Sequence, residues 1–170
     1  MSEPFINKVA ESGLISVDLA QYIPNNEIVV FDIKPYLFME LILKEKDFRA
    51  SLNTNDWNIY RDKIVGICCT ADAIIPMWAN MLIVSHLQPV AKAVYFGDVN
   101  RVREQLILEK ILTIDPIDYR DQRVVIKGCG ETPIHESAYV AITQKLRPAV
   151  KSIMFGEPCS TVPVYKRKDA

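Results

Sequence analysis

The sequence predicts an α/β protein with a three-layer, flavodoxin-like or Rossmann-like parallel sheet covered by helices on both faces. Three observations predict it. Short β-branched runs alternate along the chain with helical segments, the pattern of parallel strands joined by crossover helices. The chain matches itself at a fixed offset, so the pattern is strand-helix-strand-helix present twice. Its 170 residues are 49% hydrophobic and 24% charged, which suits one globular domain spanning residues 1–170 with a full core.

The elements follow in order. Leu14-Ile15-Ser16-Val17 reads as a short edge strand, and Pro24-Asn25-Asn26 as a turn. Ile28 to Ile33 is a β-branched and aromatic run, hence a strand. Pro35 suits a first helical position, and Leu37, Leu41 and Ile42 extend that helix to about Leu52. The second strand runs from Lys63 to Cys68 or Cys69. Thr70-Ala71-Asp72 leads to a helix from about Pro76 to Leu87, apolar nearly all round and so buried on more than one side. Ala93–Phe96 is the third strand, and Val99–Leu112 an amphipathic helix. The fourth strand lies at Val124-Val125-Ile126, its helix at Glu136–Leu146, and the fifth strand at Ser152–Phe155. The tail Thr161–Tyr165 reads as extended.

Shifted by 59 positions, Tyr60-Arg61-Asp62 falls on Tyr119-Arg120-Asp121, Ala79 and Ile83 on Ala138 and Ile142, and Phe96-Gly97 on Phe155-Gly156. A second shift, of 65, places Val29 and Phe31 on Val94 and Phe96. Together they suggest repeats of about residues 28–91 and 93–150. Related halves packed about a pseudo-two-fold axis would set the second and fourth strands side by side, in the order 3-2-4-5. Ligands of open α/β sheets bind outside the carboxyl ends of the strands, where the order reverses.

That edge would collect the chain's four cysteines. Cys68 and Cys69 end the second strand. Cys129 sits between Gly128 and Gly130 before a helix, where inward N–H groups and a helix start lower a thiol pKa. Cys159 follows the fifth strand. Asp72 and Glu131 occupy equivalent loops, Asp98 and Glu157 close the outer strands, and His135 stands near a helix start. Each has a plainer role: a buried thiol packs as a small hydrophobe, and a carboxylate caps a helix. Lacking a C-x-x-C pair, the chain would have to assemble a metal site from separate loops.

The net charge of −1 gives no electrostatic footprint for nucleic acid. Ile74–Leu87 is too short and too interrupted to cross a membrane, and no signal sequence opens the chain. A cytoplasmic protein with free thiols is expected. G-x-G-x-x-G, Walker and G-x-S-x-G motifs are absent.

Ile126-Lys-Gly-Cys-Gly-Glu-Thr-Pro133, Ala71-Asp-Ala-Ile-Ile-Pro-Met-Trp78 and the run Ser152-Ile-Met-Phe-Gly-Glu-Pro-Cys-Ser-Thr-Val-Pro-Val-Tyr-Lys166 resemble an uncharacterised bacterial family, mostly from Bacteroidetes. It is known as a domain of unknown function. The resemblance spans essentially the whole chain. It implies no activity, but members are often encoded near iron–sulfur cluster assembly genes, which implies partners in that pathway.

Two main readings follow. In the first, Cys129, Cys159 and Cys69, with His135, hold zinc or iron or carry sulfur, and Asp72 and Glu131 lie close by. A separate possibility is an enzyme for a small substrate that uses Asp72 and Glu131 as acid and base, which requires the order 3-2-4-5. In the second, the cysteines pack, and the chain is a homodimeric adaptor docking through the Met77–Leu82 helix, since Trp and Met favour interface cores.

Overall fold

The computed structural model describes residues 13–128, 133–157 and 160–168. Among the described residues seven strands are formed: β1 (Leu14–Asp18), β2 (Ile28–Asp32), β3 (Ile64–Cys68), β4 (Ala93–Phe96), β5 (Arg123–Lys127), β6 (Ser152–Glu157) and β7 (Ser160–Lys166). The α-helices are α1 (Glu45–Thr54), α2 (Met77–Leu87), α3 (Val99–Leu112) and α4 (Glu136–Leu146). The chain divides into two compact units. An inserted unit, Asn25–Arg103, interrupts a host unit made of the described residues up to Pro24 and from Glu104 onward. The boundary falls inside α3.

Each unit has its own sheet. The inserted unit carries the parallel sheet β2-β3-β4. The host unit carries β1-β5-β6-β7, parallel except for the antiparallel β7. The α/β character and the parallel pairing stand. The order 3-2-4-5 is corrected: β3 lies between β2 and β4, while β5 lies between β1 and β6. Ala93–Phe96 pairs with β3 and closes the inserted unit instead of opening a second copy. The missing first strand of the host copy is β1, far upstream.

The pairing shows the duplication at residue level. Leu14 pairs with Arg123 as Ile28 pairs with Ile64, so position 14 falls on 28 and position 123 on 64. The 59-residue offset then continues upstream through α1, setting Phe48 on Ile107 and Leu52 on Ile111. All eleven buried residues of the host core have partners in the inserted core. The pairs are Val17 with Phe31, Leu19 with Ile33, Ile107 with Phe48, Ile111 with Leu52, Val124 with Val65, Ile126 with Ile67, Ala138 with Ala79, Ile142 with Ile83, Leu146 with Leu87, Val150 with Ala91 and Ile153 with Val94. Ala91 and Val94 are partly buried. Each fully buried aliphatic side chain contributes roughly 1.5–3 kcal/mol. The two sets of helix and strand contacts are therefore stabilised alike.

The turns repeat as well. Asp18 and Asp32 each accept the backbone N–H two residues on, from Ala20 and Lys34, at 3.0 and 2.9 Å. Asp56 and Asp115 do the same with Asn58 and Ile117. These aspartate turns start 3₁₀ segments because the carboxylate replaces a backbone acceptor. Asp62 and Asp121 share a left-handed backbone, φ 60° and 58°.

One helix is shorter than expected. Lys34–Tyr36 forms a 3₁₀ turn, and α1 begins only at Glu45. Between them Phe38 and Ile42 make an isolated antiparallel bridge across Met39 and Glu40, both left-handed with φ 50° and 57°. Leu37, Leu41 and Ile42 have helical spacing, but the local turn prevails.

Candidate functional site

The carboxyl edge of the inserted sheet is built from β2, β3 and β4. Asp32 at the end of β2 accepts from the Thr70 hydroxyl at 2.5 Å and from the Thr70 N–H at 3.0 Å. Burial works against its ionised form, but these bonds and the Lys34 N–H outweigh it and hold the carboxyl below its ordinary value. Cys68 ends β3. Its thiol is pushed up, first by burial and then by the charges of Asp32 and Asp98. This edge protects the thiol form of Cys68, the opposite of nucleophile activation. Cys69 is half-buried and its thiol faces the Ala71 carbonyl at 3.5 Å. Asp72 is exposed.

The host sheet replaces these groups. Lys127 occupies the position of Cys68, and its ammonium lies 3.6 Å from Asp18 and 3.7 Å from Glu157. Gly128 occupies the position of Cys69. A Cβ there would sit 2.3 Å from the Tyr139 hydroxyl, so the larger aromatic side chain takes the space a thiol has in the other unit. His135 caps α4, its Nδ1 accepting from the Ser137 N–H at 3.3 Å. The Ser137 hydroxyl donates to Glu104 at 2.6 Å, and His135 Nδ1 lies 3.1 Å from the same carboxylate oxygen. Serine, histidine and glutamate meet here, but not as a hydrolytic triad. The hydroxyl is bound to the carboxylate, and one ring nitrogen faces both partners.

Of the residues singled out from sequence, Cys129, Glu131 and Cys159 lie outside the described residues. Cys69 and Asp72 belong to the inserted unit and His135 to the host unit. Because β3 and β5 belong to different sheets, strand pairing does not set the Asp72 loop beside the loop after Gly128. The acid-base pair argued from the order 3-2-4-5 loses that basis. Among the described residues no group of three or more His, Cys, Asp or Glu side chains is placed to hold a metal. No helix among them is long and apolar enough to cross a membrane.

The largest departure between the copies is the outer face of α2. Its inner face, Ala79, Ile83 and Leu87, belongs to the core. Met77, Met81 and Val84 form a stripe at helical spacing that is 78%, 72% and 39% exposed, and Ile74, in the segment just before the helix, is 93% exposed. In α4 the same positions are Glu136, Val140 and Thr143, with Pro133 before them. From Ile64 to Ala91 the sequence holds one formal charge, Asp72. The equivalent stretch from Arg123 to Val150 holds six: Arg123, Lys127, Glu131, Glu136, Lys145 and Arg147. Trp78 does not join the stripe. It packs edge-on against Phe48, ring centroids 6.1 Å apart.

The Phe38–Ile42 turn is a second apolar feature of the inserted unit, and sequence reasoning missed it. Phe38, Met39, Leu41 and Ile42 are exposed, with Lys44 Nζ 3.4 Å over the Phe38 ring. No glycine marks the turn, so its sequence resembles a helix. The stripe was visible as an apolar helix, but sequence alone could not divide its faces.

The two sheets and their unequal surfaces define an α/β protein built by duplication and insertion. The chain belongs to the family described as proteins of unknown function, DUF2480, whose model matches residues 3–167. No curated protein and no solved structure matches it.

Proposed function

We propose that this protein is a non-catalytic interaction protein that pairs with a second copy of itself through the outer face of α2. The exposed Met77-Met81-Val84 stripe, with Ile74 just before it, carries the reading. The core does not need it, since both units bury the same positions and only one carries the stripe. Monomeric surfaces seldom expose a contiguous apolar patch of this kind, and methionine adapts its shape to a partner. Sedimentation equilibrium of the full chain tests it. The expected result is a dimer that Met81→Glu converts to a monomer with an unchanged circular dichroism spectrum and a thermal midpoint that no longer rises with protein concentration; a monomeric wild-type protein would refute the reading.

In the thiol-centred reading, Cys129, Cys159, Cys69 and His135 bind zinc or iron, or handle sulfur beside iron–sulfur assembly proteins. Its direct test is the metal content of untagged protein purified without oxygen. Near one metal per chain, lost in Cys129→Ser, would move the proposal there.

A further inference from the structure

The geometry points to a small-molecule site in the host unit: a groove that takes an uncharged molecule with an alkyl body and one hydrogen-bonding head, of the fatty alcohol or amide kind. The site lies wholly within one unit and is independent of the self-association proposed above.

The groove has a volume of about 590 Å³ and lies between α4 and the strands β6 and β7. Small-molecule sites span roughly 300–1,000 Å³. Ile126 and Ile153, both buried in the host core, form its floor. Val140 of α4 stands on one wall and Val164 of β7 on the other, and both are exposed. The Tyr139 ring meets the Phe155 ring edge-on with centroids 5.6 Å apart, so two of the lining side chains brace each other.

Three observations choose the ligand. No lining residue is charged, so an ionised head would lose water and gain no counter-charge. Most of the lining is aliphatic, which suits dispersion contact with an alkyl chain. The head group is set by Thr143, a half-buried lining residue. Ser51 and Thr54 in α1 and Ser85 in α2 return their hydroxyls to carbonyls of their own helix, as helical hydroxyls commonly do. The Thr143 hydroxyl has no partner among the described residues and is open to a ligand, with the exposed Gln144 amide beside it. The shared fold does not require this groove. Among the described residues the inserted sheet ends at β4, with no strand in the place of β7, and Asn80 and Val84 stand where the host has Tyr139 and Thr143.

Isothermal titration of the full chain with octanol tests the site. Saturable binding of one molecule per chain is expected. Octanoate, the same chain with an ionised head, is expected to bind about tenfold more weakly or worse. Val140→Trp fills the groove and is expected to weaken octanol by about tenfold or more. If it does not fold by circular dichroism, Val164→Trp on β7 takes its place. Thr143→Val removes the hydroxyl and is expected to weaken octanol about fivefold, while Thr143→Ser keeps it and binds like wild type. Octanol that does not saturate, or a filled groove that binds like wild type, would overturn the site. Octanoate that binds as tightly as octanol, or Thr143→Val that binds like wild type, would overturn the neutral hydrogen-bonding head and with it the ligand class.

Discussion

The inserted and host units are two answers to one folding problem. Their strands pair in the same register, and their eleven core positions correspond. Their aspartate turns begin the same 3₁₀ segments. What differs lies outside the core. The host carboxyl edge is ionic, with Lys127 between Asp18 and Glu157. The inserted edge has the Cys68 thiol, pushed up by burial, and a bound aspartate, and its α2 exposes an apolar stripe. A duplicated core acts as an internal control. A residue shared by both units is explained by folding, and a residue that differs needs another explanation.

The largest expected effect breaks the shared part. Leu52→Ala and Ile111→Ala remove equivalent, fully buried side chains, and each is expected to cost about 2–5 kcal/mol in chemical denaturation. A loss at only one of them would end the equivalence of the cores. Exchanging a position that differs comes next. Gly66 stands where the host has Val125, and a Cβ there would lie 2.4 Å from the Gly97 carbonyl oxygen and 2.9 Å from Val102. Gly66→Val is expected to cost about 3 kcal/mol, since backbone cannot move aside cheaply.

The carboxyl edges differ more gently. Asp32 is held below its ordinary value, so its contribution is present above the unfolded-state pKa and lost as pH falls through the lower folded value. Asp32→Asn is expected to flatten the acid limb of the stability profile measured by denaturation between neutral pH and strong acid. The raised Cys68 thiol is expected to alkylate several-fold more slowly at pH 8 than cysteine in an unfolded peptide, followed by mass spectrometry. The smallest effect concerns the strained turn. Replacing Met39-Glu40 by Asn-Gly, residues that accept left-handed backbone, is expected to raise stability by about 0.5–1 kcal/mol.

The local elements were legible in the sequence because their signals are local. Strands at Ile28, Val65, Val94, Val124 and Ile153 follow β-branched runs, and α2, α3 and α4 fall where spacing and prolines put them. The offset of 59 was legible for the same reason. Strand order was not. One partner of β5 is β1, a five-residue strand more than a hundred residues upstream, and its match to β2 rests on little beyond Asp18 and Asp32. The 65-residue shift borrowed β4 to fill the gap. The candidate site was legible only in part. Cysteine position pointed to the strand ends, but whether Cys68 is activated depends on burial and on Asp32 and Asp98, which composition does not show. The α2 stripe was visible as excess hydrophobicity, and only the packed inner face shows which residues are surplus to the core.

The most direct measurement is the solution mass of the intact chain, wild type beside Met77→Glu and Met81→Glu, by sedimentation equilibrium over a wide concentration range. The account predicts a wild-type dimer and monomeric variants that keep the wild-type circular dichroism spectrum but lose the concentration dependence of the thermal midpoint. A wild-type protein that stays monomeric throughout, or variants that dimerise as well as it does, would contradict the claim that the inserted unit carries its extra apolar face for association.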